Sequence, residues 1–224
     1  MNFSKMIIWL KIGVLISFFN FSALGKGAES IDFLALQKEW SIINFDDITP
    51  TKYELQDKKL MITVAESNSF ILLPFKEVKR IRRVSIEWDL VGSIEKNTRK
   101  REEEKSGDDF PLRVGLLVKG KKATIPFFAP SWVKLIRERM NFGVERIEYF
   151  VLGSNHKNQE TWENPFSDDF KMTAVESILL KGGGKQADIL IPQGLDVVGI
   201  WVMSDGDNTK SSFKVSVDRM VFYP

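Results

Sequence analysis

The chain has 224 residues, with 32 Lys and Arg, 30 Asp and Glu, one histidine and no cysteine. Without cysteine there are no disulfides, no thiolate metal sites and no thiol catalysis. The near balance of charge argues against a nucleic-acid binder, because such proteins need surplus basic side chains to displace counterions from phosphate.

The first 25 residues have the pattern of an export signal. Lys5 and Lys11 precede an apolar segment, and Ala23 and Gly25 supply the small residues of a cleavage site. The apolar segment has about 14 residues, fewer than the roughly 20 that span a bilayer. We therefore expect cleavage near Gly25, a periplasmic or secreted protein with no membrane span, and a single domain over residues 26–224. Loss of the two lysines lowers the formal charge from +2 to zero.

Short segments rich in Val, Ile, Phe, Trp and Tyr alternate with turn residues through the rest of the chain, which predicts an all-β fold. One helix is predicted near 131–141, where Val133, Ile136 and Met140 recur at helical spacing. The predicted strands are residues 40–45, 59–65, 69–74, 81–91, 111–118, 144–152, 174–180, 186–191, 196–203 and 212–223.

Two predicted strands alternate apolar and other residues, so each should have one face in water. Residues 197–203 do not alternate, which indicates a central strand covered on both faces, as in a β-sandwich. The basic cluster at residues 76–83 is typical of a solvated strand entrance. The apolar sets of the alternating strands are Val84, Ile86, Trp88 and Leu90, and Leu112, Val114, Leu116 and Val118.

Two long loops interrupt this pattern. Residues 95–105 are mostly charged and predict a mobile hairpin tip. Residues 153–170 are polar but contain Trp162, Phe166 and Phe170. Aromatic side chains in such a loop either anchor it to the protein body, which we favour, or form a stacking platform for a ligand.

Common catalytic motifs are missing. His156 has no second histidine with which to complete a zinc site, and no Gly-x-Ser-x-Gly nucleophile motif accompanies it. The run Gly182-Gly-Gly184 lacks the Gly-Lys-Ser/Thr ending of a phosphate-binding loop, so it is better explained as a hairpin turn.

Carboxylates remain as candidate site residues. In Asp205-Gly-Asp-Asn208 and the following Thr209, oxygen ligands at alternate positions 205, 207 and 209 suit Ca²⁺. An EF-hand is excluded, because Lys210 and Ser216 replace its required glycine and glutamate. The same residue types also form ligand-free turns, so both explanations stay open. Paired carboxylates can also serve glycoside hydrolysis.

Two motifs together resemble a bacterial exported family catalogued as domain of unknown function 3047. They are Gly107-Asp-Asp-Phe-Pro-Leu-Arg-Val114 and Gly199-Ile-Trp-Val-Met-Ser-Asp-Gly-Asp-Asn-Thr209, and the likeness spans roughly residue 40 to the C-terminus. Residues 182–190 look abbreviated against the family pattern. The resemblance implies an antiparallel, jelly-roll-like β-sandwich akin to carbohydrate-binding modules, but it implies no activity.

The paired motifs predict one polar cluster at one end of the sheet. In a structural version, Arg113 holds one carboxylate in a bidentate pair and Asn208 holds the turn. In a functional version, the acids bind Ca²⁺ or the hydroxyls of a sugar. The expected members are Asp108, Asp109, Arg113, Asp205, Asp207 and Asn208.

Three hypotheses about function follow. The leading one is a non-catalytic module that binds a polysaccharide or another envelope component, with Trp132 and Trp162 as stacking aromatics. The alternative is a structural component of the bacterial envelope that binds a partner protein through a sheet edge or an apolar patch. The third is a carboxylate-dependent glycoside hydrolase.

Overall fold

The computed structural model describes residues 27–35, 37–95, 101–121 and 129–224, with the backbone alone at 168 and 169. The predicted export signal lies outside the described residues, as do residues 96–100 of the charged loop. The strands are β1 (Glu29–Ser30), β2 (Ser41–Asn44), β3 (Lys52–Gln56), β4 (Lys59–Ala65), β5 (Ser69–Gly92), β6 (Leu112–Gly120), β7 (Gly143–Leu152), β8 (Thr161–Asn164), β9 (Ser167–Val175), β10 (Ser177–Leu179), β11 (Lys185–Met203) and β12 (Ser212–Tyr223).

The described chain is all-β with the single helix α1 (Ser131–Arg139), which confirms the predicted fold class. No helix in the described part of the chain is long and apolar enough to cross a membrane. Strand pairing is antiparallel except between β7 and β9, which run parallel.

The two longest strands, β5 and β11, each run through both layers of the sandwich. The beginning of β5 pairs with the end of β11, and the end of β5 pairs with the beginning of β11. The sequence predicts each of them as two separate strands, which is wrong. They are continuous because pairs such as Arg80 with Asp196 maintain the hydrogen-bond ladder across the middle of both strands. Shifts of register accommodate the residues of β11 that have no partner in β5. The basic cluster therefore lies within β5 and is no strand entrance.

The pairing defines the two layers. The first sheet has the order β2-β5-β11-β6-β7-β9-β8, and the second has the order β3-β4-β12-β5-β11-β10. Side chains of both sheets meet in one interior cluster, to which the second sheet contributes Val84, Ile86 and Trp88 and the first contributes Leu112 and Val114. This interior is the core of the sandwich.

A second apolar cluster covers the opposite, outer face of the first sheet. It contains Phe70, Tyr149 and Trp201, and helix α1 packs against it through Trp132 and Ile136. Consequently residues 197–203 are buried on both faces, as predicted. The expectation of a wet face on β6 is wrong, because all residues from Leu112 to Val118 are buried.

Several other boundaries differ from the predicted ones. The polar segment 153–170 contains β8 and the start of β9, so it is only partly a loop. Segment 174–180 divides between the end of β9 and β10. The glycine run at 182–184 forms the predicted turn between β10 and β11, with positive φ at all three glycines.

Candidate functional site

A row of cross-strand neighbours forms the floor of the candidate site. Trp201 of β11 lies opposite Gly115 of β6, which lies opposite Tyr149 of β7. Because Gly115 has no side chain, the Tyr149 ring reaches the Trp201 ring edge-on, with centroids 5.4 Å apart. Phe70 stacks on the Trp201 ring from β5. The floor is therefore aromatic and closely packed.

A cavity of about 360 Å³ lies on this floor, and we call it the aromatic cavity. Trp132, Phe166 and Phe170 contribute to its walls. Its other end is polar and is lined by Asp108, Arg113 and Asp207, among others. The cavity thus combines an apolar aromatic surface with a charged end.

Arg113 is the centre of the charged end, and only 3% of it is exposed. Its guanidinium donates to the Asp108 carboxylate at 3.1 Å, to the Asp108 carbonyl and to the Asp205 carboxylate. It also lies over the Phe110 ring. The guanidinium therefore bridges two carboxylates, whereas the expected bidentate pair would have involved only one.

Hydrogen bonds join the two motif loops. The Asp205 carboxylate accepts from the backbone N–H of Phe110 at 3.1 Å. The Asp109 carboxylate accepts from the side-chain amide of Asn208 at 3.1 Å and from the Thr209 hydroxyl at 2.7 Å. Five of the six predicted residues are joined in this way, and Asp207 lies close to Asp109 and Asp205 without such a bond. Asn208 links its turn to the other motif loop.

Asn68, which the sequence did not single out, completes the polar end. Its side chain hydrogen-bonds the half-buried Asp207. Within the described part of the chain, Oδ1 of Asn68, Oδ1 of Asp108 and Oδ1 of Asp207 are buried without a hydrogen-bond partner. A buried polar atom without a partner costs about 1–3 kcal/mol, so these oxygens mark a place where a bound group would be stabilised.

Burial raises the pKa values of the acids in this cluster. It raises the pKa of the Asp108 carboxyl to about 6, although the neighbouring Arg113 opposes the rise. It also raises the pKa of Asp205 well above its usual range, again against Arg113. The pKa of Asp207 is raised first by burial and then by Asp109. Burial therefore makes the charged form of each of these acids costly.

Three carboxylates, those of Asp109, Asp205 and Asp207, offer oxygens that all lie within 4.8 Å of one another. The metal ligands expected from sequence were Asp205, Asp207 and Thr209. The structure adds Asp109 to this group, and it places the Thr209 hydroxyl on the Asp109 carboxylate as a hydrogen-bond donor.

The two tryptophans predicted to stack on a ligand differ in position. Trp132 lines the aromatic cavity and meets Trp201 edge-on, with centroids 6.4 Å apart. Trp162 instead stacks on His156 at 4.1 Å and packs near Phe110. Trp162 therefore anchors its segment to the sheet. Tyr149 and Trp201 are not predicted as site residues from the sequence, because their apolar neighbours are typical of core positions.

A family model described as "Protein of unknown function (DUF3047)" matches residues 38–182. The chain belongs to this family. The match confirms the family. It contains the first motif, Gly107–Val114, whereas the second motif at residues 199–209 lies beyond it, so the predicted extent to the C-terminus stays a prediction. No curated protein matches the chain.

Solved structures with a similar chain path have very different sequences. One is a xylan-binding module, CBM86, from Roseburia intestinalis, with 11% identity, a TM-score of 0.33, and coverage of 82% of this chain and 94% of that one. Another is the Emp46p carbohydrate recognition domain, with 10% identity, a TM-score of 0.35, and coverage of 86% and 91%. Structural similarity with such low identities and TM-scores gives no information about a ligand of this chain.

Proposed function

We propose that this protein is an exported, non-catalytic binding module for a polysaccharide, with its ligand site in the aromatic cavity. The observation that carries the proposal is the arrangement of the walls. The aromatic side chains of Trp132, Phe166 and Phe170 line the same cavity as Asp108 and Asp207, each of which has a buried oxygen without a hydrogen-bond partner among the described residues.

The chemistry of a sugar unit fits these two surfaces. One face of a pyranose ring presents C–H groups, which pack on aromatic rings, and its edge presents hydroxyls, which donate to carboxylates. A cavity of about 360 Å³ also falls within the roughly 300–1,000 Å³ typical of small-ligand sites. We infer that one sugar unit of a longer polymer occupies it.

Export is part of this proposal. The basic and then apolar pattern of residues 1–25 supports delivery to the periplasm or the medium, where polysaccharides of the envelope and surroundings are found. The test is amino-terminal sequencing of the protein recovered from the periplasmic fraction of the expressing cell. A protein that remains in the cytoplasm with residues 1–25 attached would contradict this part.

Binding is tested by affinity electrophoresis of the purified protein in gels that contain neutral, acidic or amino-sugar polysaccharides. Tryptophan fluorescence gives a second signal, because Trp132 and Trp201 line the aromatic cavity. At least one polymer should retard the protein. Phe166→Ala should weaken that binding by roughly 2- to 10-fold, since aromatic contacts of this kind contribute about 0.5–1.5 kcal/mol.

Phe166 suits this test because its side chain is 56% exposed, so its loss leaves the core intact. The matched control is Leu179→Ala, which removes an exposed apolar side chain from β10 in the other sheet. Equal weakening in both variants, or no retardation by any polymer, would overturn the proposal. Release of reducing ends during the assay would replace it with the hydrolase hypothesis.

A further inference from the structure

The polar end of the aromatic cavity has the dimensions of a cation site. Oxygens of Asp109, Asp205 and Asp207 all lie within 4.8 Å of one another. Calcium binds oxygens at about 2.3–2.6 Å, so two ligands on opposite sides of one ion are about 4.6–5.2 Å apart. One calcium ion can therefore contact all three carboxylates.

A second, independent observation comes from Asn68 and Asp108. Both side chains are more than nine-tenths buried, with exposures of 8% and 3%, and both line the aromatic cavity. Each has an Oδ1 atom with no hydrogen-bond partner among the described residues. Asn68 also hydrogen-bonds Asp207, which places its side chain beside one of the three carboxylates. Amide and carboxylate oxygens of this kind are the hard ligands that calcium prefers.

The charges in the cluster also favour a bound cation. Four acids, Asp108, Asp109, Asp205 and Asp207, form this cluster, and all of them except Asp109 line the cavity. Arg113 is the basic side chain that pairs with the cluster within the described residues. Buried charge is costly unless it is paired, so a divalent ion between the acids would offset most of the excess.

The existing hydrogen bonds leave room for such an ion. The donors from Asn208, Thr209 and Phe110 hold the carboxylates of Asp109 and Asp205 in place. The two Asp205 oxygens accept one hydrogen bond each, from Phe110 and Arg113, so each keeps a lone pair. The two Asp109 oxygens accept four, from the backbone and side chains of Asn208 and Thr209. A lone pair of Asp109 becomes available to an ion when the Thr209 hydroxyl donates instead to the Ser211 hydroxyl, which lies 2.6 Å away. Outer contacts of this type orient the ligands of metal sites.

We propose that Asp109, Asp205 and Asp207, together with the Asn68 amide oxygen, bind a calcium ion at the polar end of the aromatic cavity. Magnesium fits less well, because it requires a near-ideal octahedron and keeps several of its waters. The cation site is inferred from its own ligand residues, so it does not depend on the polysaccharide proposal. A bound sugar would meet the ion through its hydroxyls.

The test uses the metal alone. Terbium replaces calcium in oxygen sites and becomes luminescent when a nearby tryptophan is excited, and Trp132 and Trp201 line the same cavity. Purified protein stripped with EDTA should sensitise terbium, and calcium should displace it. Calcium should also raise Tm, because a ligand that binds only the folded state stabilises it.

Asp207→Asn should weaken calcium binding at least tenfold, because it removes one ligand charge at a half-buried position. Asn68→Ala removes the neutral ligand and should weaken calcium binding less than Asp207→Asn does. If Asp207→Asn does not fold, the calcium affinity of Asn68→Ala is compared with that of the wild type instead. The control is Asp196→Asn, which changes an exposed acid paired with Arg80 and should bind calcium as the wild type does.

Absence of displaceable terbium luminescence together with an unchanged Tm in millimolar calcium would overturn the proposal. So would wild-type affinity in both Asp207→Asn and Asn68→Ala. Polysaccharide binding is measured separately, in EDTA. Retardation there supports the binding function whatever the terbium result, so failure of one proposal is distinguished from failure of the other.

Discussion

Arg113 is the residue on which the charge balance of the site depends. Its side chain is almost fully buried and bridges Asp108 and Asp205, one from each motif loop. Buried ion pairs contribute modestly to stability as a whole, but removal of one partner leaves an uncompensated charge. Arg113 is therefore the most sensitive position in the cluster.

Arg113→Met should lower the free energy of unfolding by about 3–5 kcal/mol at pH 7, since two carboxylates lose their buried counter-charge. Part of the lost stability should be recovered at pH 5, because the two carboxyls are protonated more readily there and then carry no charge. Urea unfolding at the two pH values measures both effects. Arg80→Met, which breaks an exposed pair with Asp196, is the control and should cost about 1 kcal/mol or less. Equal losses would contradict the role of Arg113.

Asp108 should make stability depend on pH. Its pKa is about 6 in the folded protein, against an ordinary value of 3.8. The folded state therefore holds the proton more tightly, so this group stabilises the fold below pH 4 and loses that contribution as the pH rises through 6. The full change is at most about 3 kcal/mol, at about 1.4 kcal/mol per pKa unit.

Asp108→Asn removes this titration. Relative to the wild type, the variant should become more stable as the pH rises from 4 to 7, in urea unfolding series with EDTA present. Asp196→Asn provides the matched control, and its difference from the wild type should stay small throughout. A stability difference that is constant with pH for Asp108→Asn would refute the assigned pKa.

At this scale the sequence predicts the residues with distinctive chemistry. The acids, Arg113 and Asn208 could be grouped because two motifs recur together. Asn68, Tyr149 and Trp201 could not be, because their place in the site follows from strand register and sheet order, which local patterns do not contain. A buried tryptophan in an apolar strand looks the same whether or not it lines a cavity.

Among the elements, β6 best illustrates what periodicity misses. Its alternate positions carry Arg113 and Gly115, which resemble solvent-facing residues. In the structure Gly115 is covered by Tyr149 and Trp201, and Arg113 by the acids. Similarly, Pro192 and Gly194 suggest a break in β11, yet the strand continues because a register shift between Leu190 and Leu195 accommodates them.

Gly115→Ala should lower the free energy of unfolding by about 1–3 kcal/mol through overpacking. A Cβ there would lie 2.9 Å from Tyr149 Cε1 and 3.1 Å from Trp201 Cβ, both in rigid, buried side chains. Urea unfolding measures the loss, and near-ultraviolet circular dichroism should show the disturbed aromatic floor. Lys119→Ala, an exposed position of the same strand, should change stability by about 0.5 kcal/mol or less. Unchanged stability in Gly115→Ala would contradict the packing described.

At the scale of the whole molecule, the sequence predicts the all-β class, the helix and the family. It does not predict that two strands belong to both layers, because four short apolar segments are equally compatible with four separate strands. The apolar outer face of the first sheet was likewise hidden, since it is covered by α1 and by aromatic side chains from distant segments.

The shared strands have a consequence for how the molecule comes apart. Neither sheet can detach without breaking the hydrogen-bond ladder between β5 and β11, because the same ladder runs through both. The two layers therefore form one cooperative unit. A sugar or a cation held on the outer face of the first sheet would slow the opening of the second as well, although it touches no atom there.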